Sequence, residues 1–246
     1  MLDARYEKVR QGGVMVDGAV LLAMGVGADG KRVLLGVSVA LSEAEVHGRA
    51  FLQSLVQRGL WGVQFGVRDD HPGRQAARQA VWPGVPWQRC QFHLQKNAQA
   101  YVPRLDQRAE VARARRRIFH CPSRPAADLR LKEVVATYAK SAPKLAAWLE
   151  ENLPQGLTVF VLPPAHQTRR RTANAVERGN QELKRRTRVA RLFPNDASLL
   201  RLISALAVEI SEDWEAGKLY LDMTCLTHPP VKRPNNLQKK TCPADL

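Results

Sequence analysis

The sequence has no run of 18 or more apolar residues, so no stretch of it reads as a membrane-spanning helix. Its start lacks the basic-then-apolar order of a signal peptide. These absences lead to the expectation of a soluble, cytoplasmic protein. Cysteine is scarce. The four residues Cys90, Cys121, Cys225 and Cys242 are scattered without a C-x-x-C pair, which argues against a disulfide framework or a complete zinc finger. Acid is scarce as well: 23 Asp and Glu stand against 38 Lys and Arg, for a net charge of +15. An excess of this size points to a polyanionic partner, with nucleic acid the leading candidate. A membrane surface fits less well, because the basic stretches lack an apolar opposite face carrying Trp or Phe.

What remains is ordinary globular material. Hydrophobic residues make up 45% of 246 residues, enough for one large domain or two small ones. Three strands are expected first, over Leu2–Arg10, Val14–Val26 and Val33–Ala40. Gln11-Gly12-Gly13 and Ala28-Asp29-Gly30-Lys31 supply the turns of an antiparallel meander. Ser42 and Glu45 form a capping box for a helix running to Gly59. A strand over Leu60–Val67, a helix from Pro72 through Ala80, a strand over Trp87–Phe92 and a helix over His93–Tyr101 follow. Residues 103–153 are charged, Ala-rich and helical, broken at Cys121-Pro122 and Pro143, and read as an insertion with few large apolar residues of its own. LTVFVL (157–162) reads as a strand. The expected division is a core over 1–102 and 154–222, the insertion over 103–153, and a flexible tail over 223–246.

The stretch 166–196 is a helix pattern with one carboxylate, Glu177, in a field of Arg and Lys. Asn174 is a candidate cap, Val176 and Leu183 repeat with helical spacing, and Glu177, Gln181, Lys184 and Arg188 share a face. Asp196 can cap a last helix, Ala197 to Trp214. Acids therefore stand on the first strand (Asp3), after the strand that follows the first helix (Asp69), and on a late helix (Glu177). That order is the ribonuclease-H-like arrangement, a mixed α/β sheet with flanking helices. Its chemistry is phosphodiester cleavage with two Mg²⁺ or Mn²⁺ ions roughly 3.5–4 Å apart, held by carboxylate oxygens. Each acid also has a plainer reading. Asp3 can be a solvated terminal residue, Asp69 or Asp70 a helix cap before Pro72, and Glu177 a surface acid paired with Arg170 or Lys184.

The runs LDARYEKVR, GVRDDHPG, WQRCQFHLQKN, GLTVF, RTANAVERGNQELKRRTR and LFPNDASLLRLISALAVEISEDW resemble, in order and over nearly all of residues 1–222, the catalytic half of bacterial Mutator-family insertion-sequence transposases. The resemblance implies a DDE transposase whose acids fall on Asp3, Asp69 and Glu177. It implies metal-dependent hydrolysis at transposon ends, followed by attack of the freed 3′-OH on target DNA. The family's substantial N-terminal region before the first acid has no counterpart here. The expectation is therefore a truncated chain whose first strand frays at Asp3. A catalytically impaired DNA-binding remnant that interferes with full-length transposase is the alternative reading. A ribonuclease-H-like nuclease or junction resolvase is a third.

The family's C-x-x-H signature falls on Cys90 and His93. As half a zinc site the pair needs two more ligands, and His120 with Cys121 are the only nearby candidates. The other readings place His93 near the metals, touching a phosphate or positioning a carboxylate, or leave a packed Cys and a helix-capping His. Arg169, Arg170, Arg171, Arg178, Lys184, Arg185, Arg186 and Arg188 flank Glu177 and are the DNA-contact candidates. Expected partners are transposon ends and target DNA, bound at the nucleoid, with self-association left open.

Overall fold

A central strand that is apolar without interruption must be covered on both faces, and the run VLLAM (20–24) is such a stretch. In the computed structural model, which describes residues 1–40, 45–68 and 72–225, this run lies in the middle of a three-stranded antiparallel sheet. The strands are β1 (Leu2–Gln11), β2 (Val14–Val26) and β3 (Arg32–Ala40), in the order β1-β2-β3. Gly12 and Gly13 turn the first hairpin at φ 55° and 83°, a region that only glycine enters without strain.

One face of the sheet packs Leu2, Leu21 and Ala23 against Phe51, Leu52 and Leu55 of α1 (Glu45–Gln57) and Ala77 of α2 (Pro72–Val81). The other packs Val9, Val20, Leu22 and Met24 against Val176 and Leu183 of α8 (Asn174–Thr187) and Leu199, Ile203 and Ile210 of α9 (Asp196–Ala216). The result is a helix–sheet–helix sandwich, each fully buried Leu or Ile contributing about 1.5–3 kcal/mol of burial. After α8 the chain returns alongside β1, where Phe193 exchanges backbone hydrogen bonds with Lys8 and Arg10.

A second, parallel ladder pairs β4 (Gly66–Arg68) with β5 (Trp87–Arg89). The expected single mixed sheet is thus two ladders among the described residues, and both added strands are shorter than expected. Leu60–Val67 is strand only at its end. Trp87–Phe92 stops at Arg89 because Cys90 already caps α3 (Gln91–Ala98).

The insertion has more core than its composition suggests. Its helices α4 (Arg108–Phe119), α5 (Arg124–Tyr138) and α6 (Pro143–Asn152) enclose Val111, Ile118, Phe119, Leu131, Leu145 and Leu149 together with Leu94 of α3. Arg115 is buried among them, and burial lowers its guanidinium pKa to about 10.

LTVFVL is not a strand; Thr158–Val161 is a turn of 3₁₀ helix. The side chain of Gln88 on β5 takes the place of a ladder. Its Oε1 accepts from the Val159 N–H (2.8 Å) and its Nε2 donates to the Gly156 carbonyl (2.6 Å). Gln91 Nε2 donates to the same carbonyl (2.8 Å). With these groups satisfied locally, the apolar segment needs no neighbouring strand. Of the expected tail, Met223–Cys225 forms a short 3₁₀ turn, and residues from 226 onward lie outside those described, as do Ser42, Asp69 and Asp70.

Candidate active site

Side chains alternate along β1, so Leu2 and Ala4 face α1 and α2 while Asp3 and Arg5 face α8. Asp3 pairs with Leu22 on β2. The end expected to fray is paired and buried in this structure. Met1 and Met24 exchange two backbone hydrogen bonds, N–H to carbonyl in each direction (2.7 and 2.9 Å), and Leu2 is buried.

Asp3 reaches α8 directly: Asn180 Nδ2 donates to Asp3 Oδ2. Arg5 extends the seam. Its Nη1 donates to the Asn180 carbonyl (3.0 Å), its Nη2 to Thr187 Oγ1 (2.7 Å), and it pairs with Glu7. Thr187 Oγ1 in turn donates to Glu7 Oε1 (3.0 Å). Burial pushes the Arg5 pKa down, and the Glu7 carboxylate works against that shift. Asn180, Arg5 and Thr187 were not legible as site residues. The signals that could have found them are spacings: Asn180 follows Glu177 by one turn, and Arg5 follows Asp3 by two along a strand.

Glu177 lies in the first turn of α8, where the helix dipole favours a carboxylate. Asn174 is the first helical residue rather than the cap, a position held by Ala173, whose carbonyl accepts from the Val176 and Glu177 N–H groups. In the same way Asn195, not Asp196, caps α9, accepting from the Ser198 N–H (2.8 Å).

Cys90 and His93 come to Glu177 from the other side. The Cys90 N–H donates to the Arg68 carbonyl at the end of β4 (2.7 Å), and Gln91 N–H donates to the Arg171 carbonyl just before α8 (2.9 Å). These two bonds bring the start of α3 against the start of α8. Cys90 Sγ then lies 3.9 Å and His93 Nδ1 3.8 Å from Glu177 Oε1. The sulfur also accepts the Ala173 N–H (3.3 Å). Burial pushes the Cys90 thiol up, while backbone N–H groups of Ala173, His93 and Phe92 work against that shift. His120 and Cys121, just past the end of α4, bond back to the carbonyls of Arg116 and Arg117, and the compact group around Glu177 comprises Cys90 and His93 without them. Asp69 follows Arg68 in the sequence and lies outside the described residues.

The flanking cations divide by what already holds them. Arg169, Arg178, Lys184 and Arg188 are exposed. Arg170 and Arg169 lie over the Tyr220 ring, and burial lowers the Arg170 pKa. Arg171 is partly buried. Arg185 is paired with Glu182, and Arg186 is paired with both Glu182 and Glu209 (2.8 and 2.6 Å). No helix among the described residues is long and apolar enough to cross a membrane.

A family model described as "Transposase, Mutator family" matches residues 1–217. The chain is 55% identical over 221 residues to the transposase for insertion sequence element IS406 of Burkholderia multivorans, covering 90% of this chain and 57% of that protein. It is 40% identical over 223 residues to the transposase for ISRM5 of Rhizobium meliloti, covering 91% and 56%. It is 29% identical over 216 residues to the transposase for IS256 in transposon Tn4001 of Staphylococcus aureus, covering 87% and 55%. The chain thus spans little more than half the length of these relatives. With a family match over most of its length, this chain belongs to the Mutator family of transposases.

Proposed function

We propose that this chain is the catalytic part of an insertion-sequence transposase, a ribonuclease-H-like core that cleaves DNA ends and joins them to target DNA. The observation that carries the reading is the meeting of β1 and α8. Asp3 is bound by Asn180, and Glu177 stands one helical turn away on the same helix, in a chain with a large basic excess. Residues three apart on a helix have Cβ atoms about 5–6 Å apart.

Oxygen donors of this kind suit Mg²⁺ or Mn²⁺, and Asp3, Asp69 and Glu177 are the residues that would hold it. When bound, a pair of such ions stabilises the attacking and leaving oxygens of an in-line displacement at phosphorus. The chain's own residues do the rest. Asn180 fixes the Asp3 carboxylate, and Arg5 ties the strand bearing Asp3 to the helix bearing Glu177. Arg169, Arg178, Lys184 and Arg188 neutralise phosphates and hold the duplex in register without choosing its sequence.

The test is cleavage of duplexes bearing insertion-sequence ends, with the upstream region of the Burkholderia multivorans relative fused to this chain. Mg²⁺- or Mn²⁺-dependent cleavage is expected, lost in Glu177→Gln while duplex binding stays within about twofold. Cleavage retained by Glu177→Gln, or none by the unmutated fusion that binds the ends, overturns the reading.

A further inference from the structure

We propose that Cys90, His93 and Glu177 form a binding site for a thiophilic divalent cation of the zinc class. The argument starts from separations that are wrong for one kind of contact and right for another. Glu177 Oε1 lies 3.8 Å from His93 Nδ1 and 3.9 Å from Cys90 Sγ. The first is too long for a nitrogen–oxygen hydrogen bond, which closes near 2.9 Å. Zinc bonds of about 2.0–2.3 Å arranged tetrahedrally separate neighbouring ligand atoms by about 3.5 Å. The three donor atoms all lie within 4.8 Å of one another, so a contraction of small amplitude closes the set.

Three further features suit a cation here. His93 Nδ1 is enclosed and makes no hydrogen bond, which leaves its lone pair without an assigned use. Cys90 sits at the junction of β5 and α3 with Ala173 N–H directed at its sulfur, the backbone support that a metal thiolate takes from its surroundings. The charges also close: one thiolate and one carboxylate balance the double positive charge, the neutral imidazole adds none, and water is free to take the fourth position. On binding, the thiol proton leaves to solvent. The sulfur and imidazole donors favour zinc or cobalt over Mg²⁺, which prefers oxygen ligands. Glu177 is therefore shared between this set and the carboxylate set with Asp3 and Asp69, and a zinc-class ion withdraws it from the latter. That consequence rests on the transposase reading; the binding itself does not.

Co²⁺ titration of the reduced 246-residue chain tests it. A one-to-one complex with a thiolate-to-cobalt charge-transfer band is expected, bleached by Zn²⁺. The triple variant Cys121→Ser, Cys225→Ser, Cys242→Ser keeps Cys90 as the sole thiol and should retain the band. Cys90→Ser should lose it, and His93→Ala and Glu177→Gln should each weaken Co²⁺ binding by about tenfold or more. No band in the parent chain, loss of the band in the triple variant, or a band that survives Cys90→Ser overturns the site. The outcome is independent of whether the chain cleaves DNA.

Discussion

Asn180 gives its side-chain amide to Asp3 across 177 positions of sequence, while its own Oδ1 is buried without a hydrogen-bond partner. The residue has one role with an evident partner and one unsatisfied atom. Replacing it with Leu, of similar branched shape though larger, removes both together. The lost hydrogen bond and the relieved acceptor then offset each other in stability, at about 1 kcal/mol or less net. The Asp3 carboxylate loses its anchor, so Mn²⁺ affinity measured by calorimetry should fall by about 10–100-fold. Unchanged Mn²⁺ binding in Asn180→Leu would remove Asn180 from any positioning role.

DNA binding should fall steeply with salt and show little preference among duplex sequences. Fluorescence anisotropy across a salt series measures this. Arg178→Ala and Lys184→Ala, which remove exposed cations, should each lower the log–log salt slope by about one. Arg186→Ala should lower it less, because Glu182 and Glu209 already hold that guanidinium. A flat salt response argues against phosphate contacts altogether.

Glu182 offers a pH-dependent readout on the same helix. Its hydrogen bonds from Arg185 and Arg186 lower its pKa from 4.5 to about 2. A carboxylate with a depressed folded-state pKa contributes stability above its unfolded pKa, and that contribution is lost as pH falls from about 4.5 to about 2. Glu182→Gln should therefore be less stable than the parent near neutral pH, with the difference shrinking through that window. The effect is small because the group is exposed to water. Denaturant melts at several pH values measure it, and a difference that grows toward acid contradicts the assignment.

Much of this arrangement was legible in the residues. The meander followed from its Gly-rich turns, whereas the burial of β2 on both faces, carried by the run VLLAM, was not drawn from the sequence. Helical spacing paired Val176 with Leu183, and both are buried on α8. What escaped were substitutions of one physical solution for another. A side-chain amide, Gln88, satisfies the backbone that an apolar run such as LTVFVL would otherwise satisfy as a strand, and periodicity cannot register that. The proximity of Cys90 to Glu177 depends on a backbone bond from Gln91 to Arg171, 80 positions apart, so spacing within either motif could not reveal it. The core of the insertion was underestimated because Ile118, Phe119, Leu145 and Leu149 are dispersed among charges, and helices gather them.

Arg115 within that core is a buried cation bonded to the carbonyls of Val111 and Gln95, with Nη2 left without a partner. Both carbonyls lie in helices, and among the described residues no acid forms an ion pair with the charge. An apolar side chain of similar length removes the cost of burying the charge, several kcal/mol by order of magnitude, and gives up the two hydrogen bonds to carbonyls that offset it. Arg115→Met should accordingly hold or raise the thermal midpoint, whereas Phe119→Ala should cost about 3–5 kcal/mol through its cavity. A large loss in Arg115→Met would indicate a function for the charge that its hydrogen bonds do not explain.

The two glutamines that grip Gly156 and Val159 have a consequence for how this chain can change. The helical excursion leaves the sheet through α3, directly after Gln88 and Cys90, and comes back to be fastened by Gln88 itself. Both doorways of the detour therefore open on one strand, three residues long. Helices between them can lengthen, shorten or be exchanged while the doorway stays shut, provided that their shared core with Leu94 of α3 stays filled. A scaffold built this way can acquire new surfaces for DNA or for a second subunit by editing a side branch, leaving the trunk that carries its acids untouched.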